Sequence, residues 1–323
     1  MDYVNLGRSG LKVSRLCLGT MNFGAEATLL ESLKIMNLAA DRGINFVDTA
    51  NVYGNKPYEG WTEQIVGRWL ADGAHRDRVV LATKCYGPIG PGVNERGLSA
   101  LNIRRSCEAS LRRLGTDRID LYQMHHVDRS VGWEEIWRAM EDLVRAGKVL
   151  YVGSSNFAGW HIADAQAAAE RGCFPGLVSE QTRYSLACRT PELEVLPSCR
   201  HHGLGLLPYS PLEGGILGGV LGGGDQGARR RSERSRERIG QLRPRIEQYE
   251  AFCSELGHEP AQVALAWLMA DPAVTAPIVG PRTDRQLEAL LGAAEVRLNE
   301  AALARLDEIW PGPGGPAPEA YAW

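Results

Sequence analysis

From residue 15 to residue 291 the chain alternates short apolar runs with segments of helical period, eight times over. The expected strands are 15–18, 45–47, 78–83, 119–124, 149–153, 177–180, 205–208 and 274–279. The expected helices are 28–42, 61–71, 99–114, 133–146, 159–171, one near 192–201, then 239–256, 260–269 and 284–291, with a last one at 300–309. Two short runs, 3–6 and 11–13, precede the alternation and are joined by Gly-Arg-Ser-Gly. Eight strand–helix units favour an α/β parallel (β/α)8 TIM barrel over an open sheet. The competing arrangement, a doubly wound sheet with 214–224 as its nucleotide loop, lacks a GxGxxG directly after the first strand. One barrel domain spanning 1–323 is the expectation.

Composition removes several classes. A net charge of −3 gives no reason to expect nucleic acid or an anionic membrane. The opening MDYVNLGRSG has no signal-peptide core, and no apolar run approaches the roughly 20 residues of a membrane span. A cytoplasmic location is therefore expected. Seven scattered cysteines without a CxxC suggest neither zinc nor a disulfide framework. Cys85 stands apart because it follows Lys84, a site candidate. Two stretches break the alternation. The segment 218–238 is glycine-rich and then densely basic, read either as a solvated loop or as a flap over an anion. The tail 311–323 ends in Tyr321 and Trp323, which favours docking back onto the body. Oligomeric state is not legible; a homo-oligomer is compatible with the sequence.

Barrel sites form at the C-terminal ends of strands. Those ends here carry Asp48, Lys84, His125, Ser154 to Asn156, Gln181, Tyr209 to Pro211, and Gly280 with Arg282. Singly, each has a bland reading: Asp48 as a loop cap, His125 as a satisfied structural histidine, Tyr53 beyond the second strand as a half-buried aromatic. Lys84 is harder to dismiss, since a lysine at a barrel mouth needs a partner, and Asp48 is at hand. Together Asp48, Tyr53, Lys84 and His125 form a proton-transfer group. A lysine ammonium stabilises a phenolate and lowers a tyrosine pKa from its usual value near 10. Such a group suits carbonyl reduction, which needs a proton on oxygen and a hydride from a nicotinamide. A metal hydrolase on the same barrel would need His and carboxylates at several more strand ends.

The segments LGTMNFG (18–24), GINFVDTANVYG (43–54), LATK (81–84), DLYQMHH (120–126), GKVLYVGSSNF (147–157), LLPYSPLEGGILGG (206–219) and PIVGPRTDRQL (277–287) resemble the aldo-keto reductase family, in the family's order and over nearly the whole chain. The resemblance implies the same barrel, closed below by an N-terminal β-hairpin, with a long loop after the seventh strand. It implies Tyr53 as general acid, tuned by Lys84 and Asp48, with His125 the histidine of the group. It also implies NADPH across the mouth. Gly19, Thr20, Met21 and Asp48 would lie near the ribose, and Ser155, Asn156 and Gln181 would hold the carboxamide. Tyr209 would stack on the nicotinamide, Ser210, Leu212 and Gly214 would follow the pyrophosphate, and Gly280, Arg282 and Gln286 would surround the 2′-phosphate. Ala289 and Leu290 depart from the family's Glu-Asn, which removes polar adenine contacts.

Within the family the pattern is similar to bacterial reductases related to potassium-channel β subunits, and to sugar reductases of antibiotic pathways. The resemblance implies a small carbonyl compound as substrate, its pocket expected from Phe23, Tyr53, Tyr86, His126 and Trp133. His126 either walls that pocket or bonds a neighbouring loop. Three functions follow: a broad aldehyde or ketone reductase, a nucleotide-linked keto-deoxysugar 2,3-reductase using 229–238 for a second diphosphate, or an NADP(H)-sensing regulatory subunit. The full tetrad, and the absence of a long N-terminal extension, weigh against the sensor.

Overall fold

Strands β1 (Tyr3–Asn5) and β2 (Lys12–Ser14) pair antiparallel, with Val4 opposite Val13. The hairpin lies against the lower ends of later strands: at Gly7, with φ 54°, an added Cβ would come 2.5 Å from the Val178 carbonyl oxygen. Only glycine tolerates both that conformation and that approach. The computed structural model describes residues 1–55, 57–73, 75–222 and 233–315. The expectations for Arg229 to Arg231, and for Tyr321 and Trp323 in the tail, lie outside the described residues.

Eight parallel strands follow: β3 (Cys17–Gly19), β4 (Phe46–Asp48), β5 (Val80–Cys85), β6 (Ile119–Met124), β7 (Val149–Ser155), β8 (Leu177–Arg183), β9 (Gly205–Tyr209) and β10 (Ile278–Val279). They are ordered β10-β3-β4-β5-β6-β7-β8-β9. The expected eighth strand at 274–279 divides its pairing. Ile278 and Val279 pair with Cys17 and Leu18, while Val274 bridges Leu206, so one run joins both edges and brings the barrel near closure.

The helices pack outside: α1 (Leu29–Asp41), α2 (Trp61–Ala71), α3 (Ala100–Leu114), α4 (Trp133–Arg145), α5 (Gly159–Arg171), α6 (Val195–His202), α7 (Glu233–Glu255), α8 (Pro260–Ala270), α9 (Asp284–Leu291) and α10 (Glu300–Ile309). Their starts follow cap chemistry. Thr28 and Glu31 form a capping box on α1, and the Ser99 side chain accepts from the Asn102 amide on α3. Helix α7 begins at Glu233, ahead of the expected 239. Its first turns read ERSRER, and Glu and Arg are strong helix formers, so part of the presumed basic loop is helical. No helix among the described residues is long and apolar enough to cross a membrane.

The lower barrel is filled by Leu6, Val13, Cys17, Phe46, Val80, Ala82, Leu121, Val178, Leu207, Ala276 and Ile278. Burying a side chain such as Phe46 contributes about 1.5–3 kcal/mol. Above this apolar plug the inward positions turn polar, and there the site begins.

Candidate active site

Alternate residues of a strand face the barrel interior. On β5, Lys84 turns inward and its neighbours turn outward. Thr83 Oγ1 donates to Glu63 Oε1 at 2.6 Å. Cys85 joins the outer core with Leu98 and Ile103, and burial pushes its thiol up to about 12. The suspicion that Cys85 belongs to the site is therefore corrected: adjacency in sequence puts it on the opposite face. Register then sets Lys84 beside Gln123 on β6, and Asp48 beside Gly19 on β3.

Lys84 has no exposed surface. An ammonium has three protons, and all are used: on Asp48 Oδ2 at 2.5 Å, the Thr49 carbonyl at 3.0 Å and the Tyr53 phenol oxygen at 3.1 Å. Burial acts to discharge the amine. The Asp48 carboxylate, with Tyr53, outweighs it and holds Lys84 above the ordinary lysine range. A cation donating to a phenol oxygen favours the phenolate, which eases loss of the Tyr53 proton.

The other oxygen of Asp48 accepts from Gln123 Nε2 and from Gln181 Nε2, each at 2.9 Å. Gln181 Nε2 also donates to Gln123 Oε1 at 3.1 Å. Gln123 is absent from the sequence-based set, although it stands inside DLYQMHH. The available signal was strand period: it shares a strand face with Leu121 two residues before it, in the interior.

The two histidines lie just past the end of β6. The His125 ring meets Tyr53 edge-on, centroids 5.8 Å apart. Burial, then the Lys84 charge and His126, push its pKa down to about 3. His125 is thus neutral near pH 7, able to donate an N–H hydrogen bond but not to act as a cationic acid. His126 is exposed. Its ring lies 5.5 Å from Tyr86, and its Nδ1 is 3.1 Å from the Val127 carbonyl, so it touches both a rim aromatic and the loop backbone. Trp133 is half-buried, tilted against Phe157. Phe23 departs from expectation. It has no exposed surface and lies in the core cluster with Ile65 and Val66. A tight turn, Phe23 N to the Thr20 carbonyl at 2.9 Å, carries the ring inward rather than into a pocket wall.

The rest of the rim is braced by Asn156, held at φ 59°. Its Nδ2 donates to the His125 carbonyl and Ser155 Oγ, its Oδ1 accepts from the Tyr209 hydroxyl at 2.8 Å, and its amide donates to the Gln181 carbonyl. Its side-chain amide is thus engaged with protein and ties three strand ends together. Beneath it lies Glu180, also unforeseen from sequence. Glu180 accepts from the Phe157 amide at 3.0 Å and from Ser154 Oγ at 2.5 Å, and burial pushes its pKa up to about 8.

Thr20 donates through both its amide and its hydroxyl to the Asp48 carbonyl. At Gly19 an added Cβ would come 2.6 Å from Ile278, so no larger residue fits. Met21 is exposed nearby. Past β9, Ser210, Glu213, Gly214 and Gly215 all have positive φ, at 54°, 49°, 65° and 97°. Non-glycine residues in that region are uncommon and cluster at ligand sites. Among the described residues nothing lies within 4 Å of a Cβ added to Gly214, so they leave space above this turn. Glu213, under the turn, is paired with Arg183 and Arg238. Leu212 is half-buried there. Across the mouth, Gly280 accepts from Asn22 Nδ2 at 2.7 Å. Gln286 Oε1 takes the Arg282 amide at 2.8 Å, and the Arg282 guanidinium stands 3.2 Å from Glu26 Oε2. An open left-handed turn on one side and an arginine on the other suit the pyrophosphate and terminal phosphate of a dinucleotide.

The model of the Aldo/keto reductase family matches residues 15–311. The chain is 53% identical to an uncharacterized oxidoreductase, YrpG, of Bacillus subtilis (strain 168), over the whole of both proteins. It is 34% identical to a probable voltage-gated potassium channel subunit beta of Arabidopsis thaliana, covering 92% of each. It is also 34% identical to versiconal hemiacetal acetate reductase of Aspergillus parasiticus, covering 95% of this chain and 96% of that one. With the barrel and its polar mouth, these likenesses establish that the chain is an oxidoreductase belonging to the aldo/keto reductase family.

Proposed function

We propose that this chain is a single-domain, NADPH-dependent reductase of aldehydes or ketones, with Tyr53 as general acid. The observation that carries the reading is the fully buried Lys84, bonded at once to Tyr53 and Asp48. The family works with a nicotinamide dinucleotide, which supplies a hydride to the carbonyl carbon. Tyr53 gives its proton to the carbonyl oxygen, and Lys84 stabilises the phenolate left behind. Asp48 keeps Lys84 charged. Neutral His125 donates an N–H to the same oxygen and orients it. Preorganised donors of this kind act without reorganisation at the moment of reaction.

The residues fit the dinucleotide along its length. Gln181 Oε1, which takes no hydrogen bond from a described residue, is assigned to the carboxamide beside Ser155 and Asn156, and Tyr209 offers its ring to the nicotinamide. Gly19, Thr20 and Met21 border the ribose with Asp48. Ser210, Leu212 and Gly214 follow the pyrophosphate, and Gly280, Arg282 and Gln286 take the 2′-phosphate. The Tyr86–His126 pair, with Trp133, forms an aromatic side to the substrate space that suits a flat or ring-bearing carbonyl compound. The similarity to a reductase of versiconal hemiacetal acetate is in keeping with it. Of the cations in 229–238, Arg236 and Arg238 have described side chains, and Arg238 is already paired with Glu213. The aromatic side of the substrate space is what favours the broader carbonyl reductase over a reductase of nucleotide-linked sugars.

The test is NADPH oxidation with a panel of aliphatic and aryl aldehydes and ketones. Turnover that disappears in Tyr53→Phe supports the reading. Tight NADPH binding with no turnover on any member would replace it with a sensor, the reading favoured by the channel-subunit relative.

A further inference from the structure

A carboxylate only accepts hydrogen bonds. Asp48 Oδ1 therefore forces the two glutamines that touch it, Gln123 and Gln181, to turn their NH2 groups toward it. Each NH2 has two protons. Gln181 places one on Asp48 and the second on Gln123 Oε1, at 3.1 Å. The Gln123 carbonyl is thereby engaged. One acceptor of the four-residue cluster remains: Gln181 Oε1 takes no hydrogen bond from any described residue. The cluster is almost sealed, with Gln123 and Lys84 at 0% exposure and Gln181 at 3%.

Gln123 lies across the barrel because β7 carries glycine opposite it. A Cβ on Gly153 would meet Gln123 Cγ at 3.2 Å and Ser179 Oγ at 2.5 Å. The packing thus makes room for a long amide at 123 in a place where an apolar residue would fill the interior.

We propose that Gln123 is a positioning residue: it locks the Gln181 amide with its carbonyl toward the barrel mouth, and so makes the site demand an N–H donor from the carboxamide of the cofactor. The inference rests on the assignment of Gln181 to the carboxamide in the proposed function. Asp48 alone leaves the Gln181 side chain one anchor, about which it turns; Gln123 supplies the second and fixes its plane.

The experiment measures dissociation constants by quenching of tryptophan fluorescence, without turnover. The probes are NADPH and its reduced 3-acetylpyridine analogue, in which a methyl ketone replaces the carboxamide and removes its N–H. One net hydrogen bond is worth about fivefold to tenfold in affinity, so the wild type should bind the analogue weaker by about that factor. In Gln123→Leu the ratio should fall toward one. In Gln123→Glu, whose carboxyl beside Asp48 stays protonated, one donor for Asp48 and one acceptor for Gln181 survive, and the ratio should persist at pH 6. A merely structural role would weaken both probes equally and leave the ratio unchanged; that result in a folded Gln123→Leu overturns the proposal. Gln123→Met, of similar length, replaces leucine if that variant does not fold. Gln181→Ala separates the two readings. If it too keeps the wild-type ratio, the carboxamide assignment itself fails. If it abolishes the ratio while Gln123→Leu does not, only the role of Gln123 fails.

Discussion

Lys84 Nζ stands 3.1 Å from the Tyr53 hydroxyl and 2.5 Å from Asp48 Oδ2, with no proton left over for water. The proposed acid, Tyr53, and the carboxylate of Asp48 are therefore coupled through one buried cation. Removing that cation raises the energy of the phenolate. In Lys84→Met the alkaline limb of the pH profile for carbonyl reduction should move up in pH, because Tyr53 releases its proton less readily. kcat should fall by about 10²–10⁴, the usual range for general acid catalysis. Steady-state rates from pH 6 to pH 10 check both, and an unmoved limb would remove Lys84 from the tuning role.

His125 should contribute no ionisation to kcat between pH 5 and pH 8, since its pKa is pushed down to about 3. His125→Gln, which keeps an N–H donor, should retain more activity than His125→Ala. In the latter kcat should fall far more than NADPH binding weakens. The same depressed pKa bears on stability. Unfolded histidine binds a proton below about pH 6.5 that the folded residue refuses until about pH 3. His125 therefore costs stability increasingly as pH falls from 6.5, and His125→Ala should flatten that part of a Tm-against-pH curve.

Glu180 has the opposite sign. Its folded pKa of about 8 lies above the ordinary carboxyl value of 4.5. The folded protein holds a proton that the unfolded chain gives up, so its contribution is complete below about pH 4.5 and is lost as pH rises through 8. A protonated Glu180 can donate to Ser154 Oγ, which in turn reaches the Ser179 carbonyl at 3.3 Å. Gln at 180 reproduces that pattern permanently. Glu180→Gln should keep NADPH affinity and remove part of the decline in Tm between pH 5 and pH 8. An identical slope in wild type and variant would show that Glu180 is ionised in the fold.

Arg282 and Glu26 predict cofactor preference. Arg282→Ala should lower the ratio of kcat/KM for NADPH over NADH. Glu26→Gln should raise it, because it removes a carboxylate 3.2 Å from the guanidinium assigned to the 2′-phosphate. Paired kinetics with both dinucleotides decide this. If neither variant moves the ratio, the phosphate is held elsewhere.

The barrel was legible because its signal is local. Each apolar run is long enough for one strand, and each ends where polar residues begin, so the rim residues Asp48, Lys84 and Gln181 could be read without the fold. The pairing of Lys84 with Asp48 followed from charge alone. Gln123 and Glu180 were not legible. Both are polar residues inside apolar strands, and their roles depend on partners across the barrel: Asp48, 75 residues away, for the first, and the Phe157 amide for the second. Phe23 was misplaced because position in a loop does not tell which way a tight turn sends a ring. Cys85 was misplaced by adjacency, although the two-residue period of its strand already pointed away from Lys84. The early start of α7 was hidden by the density of like charge, which resembles a loop until helix propensity is weighed.

The apolar plug beneath the site has a consequence for proton traffic. Leu6, Val13, Phe46, Val80 and Leu121 seal the lower barrel around the buried polar cluster. Those side chains carry no hydrogen-bonding group that could relay a proton to Tyr53 from below. On the proposed function, a proton that Tyr53 hands to a substrate would be restored from above, through the opening by which the alcohol leaves. Recharging of the acid would then be tied to emptying of the pocket, with the barrel as a vessel of a single mouth.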